Sequence, residues 1–188
     1  MEPTTVVTPG PEQLRALAHP GRLRMLGLLR TSGPATATSL AGRLGLNTGA
    51  TSYHLRQLAA HGFVVEDTER GNGRERWWRA AHQTTHTATA PDASEEERDV
   101  TDAYLQAVAI THADNLQRAL AESRALPEAW QQVLDLSDWN PRLTAAHAKE
   151  LSEAIHELVS GWPEDVDDPE AQRFVVNVNT YLRPGTLR

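Results

Sequence analysis

Along the first eighty residues, apolar positions recur at intervals of three and four, in short runs separated by proline and glycine. That spacing is the pattern of amphipathic helices, and the breakers mark where each one stops. Pro11 and Pro20 bracket a first helix with Leu14, Leu17 and Ala18 on one side, and Pro20 disfavours helix at His19. A second helix follows over residues 21–30, carrying Leu23, Met25, Leu26 and Leu29, and Ser32-Gly33-Pro34 stops it. Thr36 or Thr38 caps a third over 39–44, with Leu40, Ala41 and Leu44 facing inward. Gly45 lets the backbone reverse, and Leu46 is expected to plug the turn. Asn47 is a good N-cap for a fourth helix reaching Ala60, which His61-Gly62 closes. Helix, glycine turn, helix is the helix-turn-helix arrangement.

The period then changes from helical to alternating. Phe63-Val64-Val65 predicts a short strand, Glu69-Arg70-Gly71-Asn72-Gly73 a hairpin turn, and residues 74–80 a returning strand that mixes charge with tryptophan. A hairpin directly after the fourth helix is a wing. Trp77 and Trp78 point to opposite faces, so one of them packs on the core. Residues 83–94 are rich in Thr, Ala and Pro and have no apolar period. Ser94 with Glu97 makes a capping box for a long helix over 95–124, and Glu95-Glu96-Glu97 suits the positive end of its dipole. One stripe of that helix holds Leu105, Val108, Ala109, His112, Leu116 and Leu120, and a second holds Val100, Ala103, Ala107 and Ile110. The winged domain covers one side only, so the other is expected to meet a partner chain.

Beyond the long helix, Leu134 and Leu136 alternate with Asp135 and Ser137, predicting a strand over 131–139. Thr144 caps a helix to about residue 160 with Leu151, Ile155 and Leu158 on one side. Phe174, Val176, Val178 and Leu182 predict a last strand. The expected fold is mainly α with small β (α+β). It comprises a disordered tail over 1–10, a winged helix-turn-helix domain over 11–82 and a linker over 83–94. A helical dimerisation or effector domain over 95–188 follows, closing on a strand-helix-strand unit.

Charge sharpens this division. The chain of 188 residues carries a net −7, an unpromising total for a nucleic-acid binder. Between residues 11 and 82, however, ten arginines face five acids, leaving +5; residues 83–188 set eight bases against nineteen acids, leaving −11. A basic front and an acidic rear suit a DNA-binding domain joined to a domain of another kind. There is no cysteine, so disulfides and thiolate metal ligands are excluded. No run approaches 18 apolar residues, and the start lacks the basic and apolar regions of a signal peptide, so a soluble cytoplasmic, nucleoid-associated protein without membrane contact is expected.

The fourth helix carries the chemistry. At roughly 100° per residue, Thr51, Leu55 and Leu58 share the core side. Gly49, Ser52, Tyr53, Arg56 and Gln57 gather opposite, without an acid or an aliphatic side chain among them. Hydroxyl, phenol, guanidinium and amide groups are what read base edges in a major groove. Thr48 and His54 complete the candidate set on this helix. In the wing, Arg70, Arg74, Arg76 and Arg79 flank a Gly-Asn-Gly tip, where they can clamp phosphates or enter a minor groove.

Residues 14–81 resemble the ArsR-type winged helix-turn-helix regulators. The matching strings are LRALAHPGRLRMLGLL, SLAGRLGL, TSYHLRQLAAHGFV and GNGRERWWRA. More loosely, Leu143-Thr144 before a helix and the closing strand resemble the C-terminal extension of an actinobacterial subgroup. The resemblance implies a homodimeric regulator, usually a repressor, bound to double-stranded DNA at a palindromic operator. The long-helix residues Leu105, Val108, His112, Leu116 and Leu120 would form its dimer interface. Where the metal-sensing branch has a Cys-x-Cys pair, this chain has Gly33-Pro34-Ala35-Thr36-Ala37-Thr38, so no thiolate sensing is expected. His82 with His86, His112 with Asp114, and His147 with His156 lie in a linker or face apart, and no metal or other cofactor is expected.

Two alternatives use the same residues differently. The C-terminal unit could hold a small-molecule effector, with Trp130, Trp139 and Trp162 as pocket walls. Alternatively, the winged domain could serve as a protein-interaction module without DNA binding. An enzyme is not expected, because the chain has no phosphate loop, cofactor fingerprint or nucleophile context.

Overall fold

The computed structural model describes residues 5–70, 75–87 and 92–186. They divide into two compact units at Glu122/Ser123. The long helix therefore belongs with the front of the chain, not with the C-terminal unit expected to begin at residue 95.

In the first unit, helix α1 (Pro11–Leu17) starts on a proline, whose missing N–H costs nothing at a helix entry. His19 then caps α2 (Pro20–Ser32): its Nδ1 accepts from the Gly21 amide at 3.0 Å. From α2, Arg22 reaches back to the carbonyl oxygens of Ala16 and Arg15, placing a cation at the negative end of α1. Strand β2 (Ala35–Thr36) leads directly into α3 (Ala37–Leu44), and the Thr36 hydroxyl accepts from the Ser39 amide at 3.2 Å. Gly45 sits in the left-handed region at φ +66°, where a side chain would be strained. The Leu46 amide closes the turn on the Ala41 carbonyl at 2.9 Å. The Leu46 side chain does not plug this turn; it is 41% exposed, since the backbone bond alone fixes the reversal. Helix α4 (Thr48–Ala60) follows.

Strands β3 (Val64–Glu66) and β4 (Trp77–Ala80) form the wing, with Val64 opposite Ala80. Its expected tip, residues 71–74, lies outside the described residues. The sheet order is β2-β4-β3, antiparallel throughout, and Ala35 pairs with Trp78. Pattern did not predict β2, because two residues carry no period. Leu17, Met25, Leu40, Leu55, Leu58 and Phe63 are wholly buried at the centre. Each such side chain contributes about 1.5–3 kcal/mol through loss of apolar surface to water. Trp78 is the wing tryptophan that joins this core.

Two expectations at the edges need correction. Residues 5–10 are not a loose tail: β1 (Val6–Val7) pairs in parallel with β5 (Thr84–Thr85), and Pro9 is buried. Arg30 fixes the segment before α5, its Nε donating to the His82 carbonyl at 2.8 Å and its Nη2 to the Thr85 hydroxyl at 2.9 Å. The expected linker is thus partly a strand. Helix α5 (Glu95–Glu122) opens with the expected capping box, in which the Ser94 amide donates to Glu97 at 2.8 Å. It packs on α1 and α2 through Val100, Thr101, Tyr104 and Ala107, and Arg24 pairs with Asp114. The second predicted stripe is half right, since Val100 and Ala107 are buried and Ala103 and Ile110 are not. The true line runs through Tyr104, whose phenol masked it; Ala103, Leu105 and Ile110 are exposed.

The second unit holds a 3₁₀ turn (Ser123–Ala125), α6 (Glu128–Gln131) and α7 (Ala145–Ser160), capped by the Thr144 hydroxyl as expected. The helix of the expected strand-helix-strand unit is present. Its two strands are not: residues 134–144 and 171–183 run without turn or bend, yet neither pairs into a sheet among the described residues. A strand requires a neighbour for its backbone groups, and alternation in sequence does not supply one.

Candidate nucleic-acid interface

Helix α4 is held at its start and along one edge. The Asn47 side chain accepts from the Ala50 amide at 2.7 Å, and the Thr51 hydroxyl donates to the Asn47 carbonyl at 3.1 Å. Thr51, Leu55 and Leu58 are completely buried, as the wheel predicts. The opposite side is thereby committed to solvent. Thr48, Ser52 and Arg56, spaced by four, run in a line along the flank between the two sides, with Ser52 half-buried and Thr48 and Arg56 exposed.

That line forms one wall of a cleft of about 480 Å³. The other walls are Thr36, Ala37 and Thr38 at the start of α3, and Glu75, Arg76 and Trp78 in the wing. Two arginines, four hydroxyls and the positive end of the α3 dipole therefore converge on one concavity, with a single acid among them. Thr36, Thr38, Glu75 and Trp78 were not among the sequence-predicted contacts. The pairing of β2 with β4 brings them together, and only a reading of Ala35–Thr36 as a strand could have revealed it.

The remaining predicted residues are placed unequally. Gly49 and Tyr53 are exposed on the neighbouring line of α4, with Gln57 half-buried. A Cβ at Gly49 would meet only the Asn47 side chain, at 3.4 Å, so the surface there is open. In the wing, Arg70 is exposed and pairs with Asp67 at 3.4 Å. Arg76 pairs with Glu66 at 3.2 Å, its guanidinium 5.7 Å from the Trp78 ring centre. A solvent-exposed pair such as Arg76–Glu66 is worth about 0–1 kcal/mol, so a phosphate can displace that acid at little cost. Arg79 is exposed; Arg74 lies outside the described residues.

His54 does not share the outward side. Its ring centre lies 4.6 Å from that of His19, and its Nδ1 is buried without a hydrogen bond among the described residues. Burial, reinforced by His19 and Arg22, pushes its pKa down, and burial with Arg22 does the same for His19. The reason is visible on the wheel: His54 is three residues from Thr51 and four from Leu58, on the core flank.

On α5, the residues expected at a dimer interface form a graded strip. Leu105 is 49% exposed, Leu116 and Leu120 are half-buried, and Val108 already packs partly against the core. His112 is half-buried, and its Nδ1 finds no partner among the described residues. Among the described residues, no three His, Asp or Glu side chains are placed to hold a metal, and no helix is long and apolar enough to cross a membrane.

No curated protein shows a significant match to the chain. Residues 17–67, from the end of α1 through β3, match the family model described as a helix-turn-helix domain. That stretch of the chain is a helix-turn-helix domain, and the cleft described above is built on its second helix.

Proposed function

We propose that the protein is a sequence-specific DNA-binding transcriptional regulator, acting as a homodimer on a palindromic operator. The observation that carries this reading is the line Thr48, Ser52, Arg56, set against the wing on a helix whose adjoining edge is locked into the core. In this reading α4 enters the major groove, where Arg56 and Ser52 contact bases. The starts of α3 and α4 and the wing arginines hold phosphates. Pairing of two copies through Leu105, Leu116 and Leu120 of α5 would present two recognition helices to half-sites about 10 base pairs apart. The resemblance of residues 14–81 to ArsR-type repressors supports repression as the mode of action.

The test begins with selection of binding sites from random duplexes, followed by competition between the selected and scrambled sequences. Arg56→Ala is expected to cost about 1–3 kcal/mol on the selected site and little on the scrambled one. Arg76→Ala is expected to weaken both alike and to make binding less salt-dependent. Equal losses from the two variants would reverse the assigned roles. Indifference to every duplex in dilute buffer would remove the function.

A further inference from the structure

The second unit has helices but no core. Over residues 123–186 no side chain is buried, although 17 large apolar residues lie in this stretch with 39–80% of their surface exposed. Trp139, Trp162, Phe174 and Tyr181 are exposed by 60% or more. At about 150–250 Å² for a buried aromatic, these four alone leave roughly 600 Å² of side chain facing water. That approaches the roughly 800 Å² each partner contributes to a stable interface. Isolated apolar residues on a surface are ordinary, but a whole unit without an interior is not.

The backbone poses the same problem. No backbone hydrogen bond joins residues 134–143 or 172–182 to another described residue. Among the described residues of the unit, side chains tether the later segment: Phe174 lies 6.5 Å from Trp130 between ring centres, and the Ser152 hydroxyl donates to the Thr180 hydroxyl at 2.8 Å. It is a strand in pattern, held beside α7, with its ladder missing.

Charge decides what can fill that gap. Residues 123–188 set eleven acids against six bases, so two copies repel wherever those acids meet. The stretch 174–182, Phe-Val-Val-Asn-Val-Asn-Thr-Tyr-Leu, carries no charge at all. It is the part of the unit that can lie against its own copy without like-charge contact. A two-fold axis also lets one segment meet another self-complementarily.

We propose that residues 174–182 form an intermolecular strand, docked on the C-terminal unit of a second copy, so that the exposed apolar side chains of the two units become one shared core. This rests on the homodimer reading above but adds a site to it. Dimerisation would be completed here and not on α5 alone.

Hydrogen exchange on the full chain, read at residues 174–182 over a dilution series alongside sedimentation, tests the idea. These amides have no acceptor in one described chain. Protection on the order of 100-fold that appears with the dimer and vanishes on dilution is the expected result. A dimer in which 174–182 exchanges freely would overturn the proposal while leaving pairing through α5 intact. Protection that persists in a monomer would overturn it too, because a single chain would then cover the strand. Val176→Asp places a charge inside the proposed core, and is expected to weaken dimerisation on the order of 100-fold while the circular dichroism of the helices is retained. An unchanged dimerisation constant would count against the strand directly.

Discussion

The two units present the same sequence grammar with opposite outcomes. In the first, apolar spacing becomes a closed interior: Leu55 and Leu58 of α4 are wholly buried against Leu17, Met25 and Phe63. In the second, Leu151 and Leu158 of α7 lie at helical spacing too, yet are 44% and 61% exposed. Both helices are capped by a side chain on the expected residue, Asn47 or Thr144. The difference is the presence of a covering layer. Periodicity states which side chains gain from burial and is silent on which chain supplies the cover.

The sharpest way to break the comparison is a matched pair of leucine truncations. Leu55→Ala removes a fully buried side chain and is expected to cost about 2–5 kcal/mol, because the lost contacts and the cavity add. Leu158→Ala should cost within about 0.5 kcal/mol when the protein is dilute, as for an ordinary surface change. Urea unfolding monitored at low and high protein concentration checks both. A large dilute-limit loss at Leu158 would mean that the second unit already has an interior of its own.

How much of the first unit was legible follows from the same contrast. Its helices announced themselves because each boundary carries a local device: Thr36, Asn47, the Ser94–Glu97 box, or glycine at positive φ as at Gly45. The exposed edge of α4 was legible for the same reason, since burial of Thr51, Leu55 and Leu58 leaves Gly49, Tyr53 and Arg56 facing solvent. Misreadings came where tertiary pairing overrode a short or ambiguous pattern. β1 and β5 are two residues each, held by backbone bonds such as Gln83 N–H to the Thr5 carbonyl at 2.9 Å and by the Arg30 clamp. Tyr104 escapes the pattern because a phenol reads as polar, and His54 because it lies among outward-facing residues in sequence while flanking the core in space. The strands of the second unit were misread for a deeper reason: alternation marks a candidate strand, but its ladder partner must come from elsewhere.

A smaller effect belongs to the first unit's histidine pair. His19 and His54 face one another with Arg22 beside them and Tyr53 adjoining on α4, its ring centre 5.6 Å from that of His54. Burial holds both histidines below their ordinary value of about 6.5, so the unfolded chain binds protons more readily than the folded one. Their contribution is therefore present above about pH 6.5 and is lost as the pH falls through the lower folded values. Thermal unfolding from pH 8 to pH 5 should show a falling midpoint, and His54→Leu should flatten that fall. An unchanged slope in the variant would locate the acid sensitivity elsewhere.

The finest probe of the contrast is a pair of cap removals, because the two caps do the same local work. Asn47 accepts from the Ala50 amide at 2.7 Å and Thr144 from the His147 amide at 3.3 Å. Each satisfies one of the free donors at a helix start, and its loss costs that helix about 1 kcal/mol. For α4 the loss is shared with the whole interior, since Leu55 and Leu58 bind the helix to α2, α3 and the wing. Asn47→Ala should therefore lower the unfolding free energy of the first unit by about that amount. For α7 no buried side chain passes the loss on. Thr144→Ala should leave the main unfolding transition in dilute solution unmoved and appear only as faster exchange of amides in the first turn of α7. If the main transition shifted equally for both, α7 would be cooperative with the interior of a single chain, and a second copy would not be needed to explain its exposed leucines.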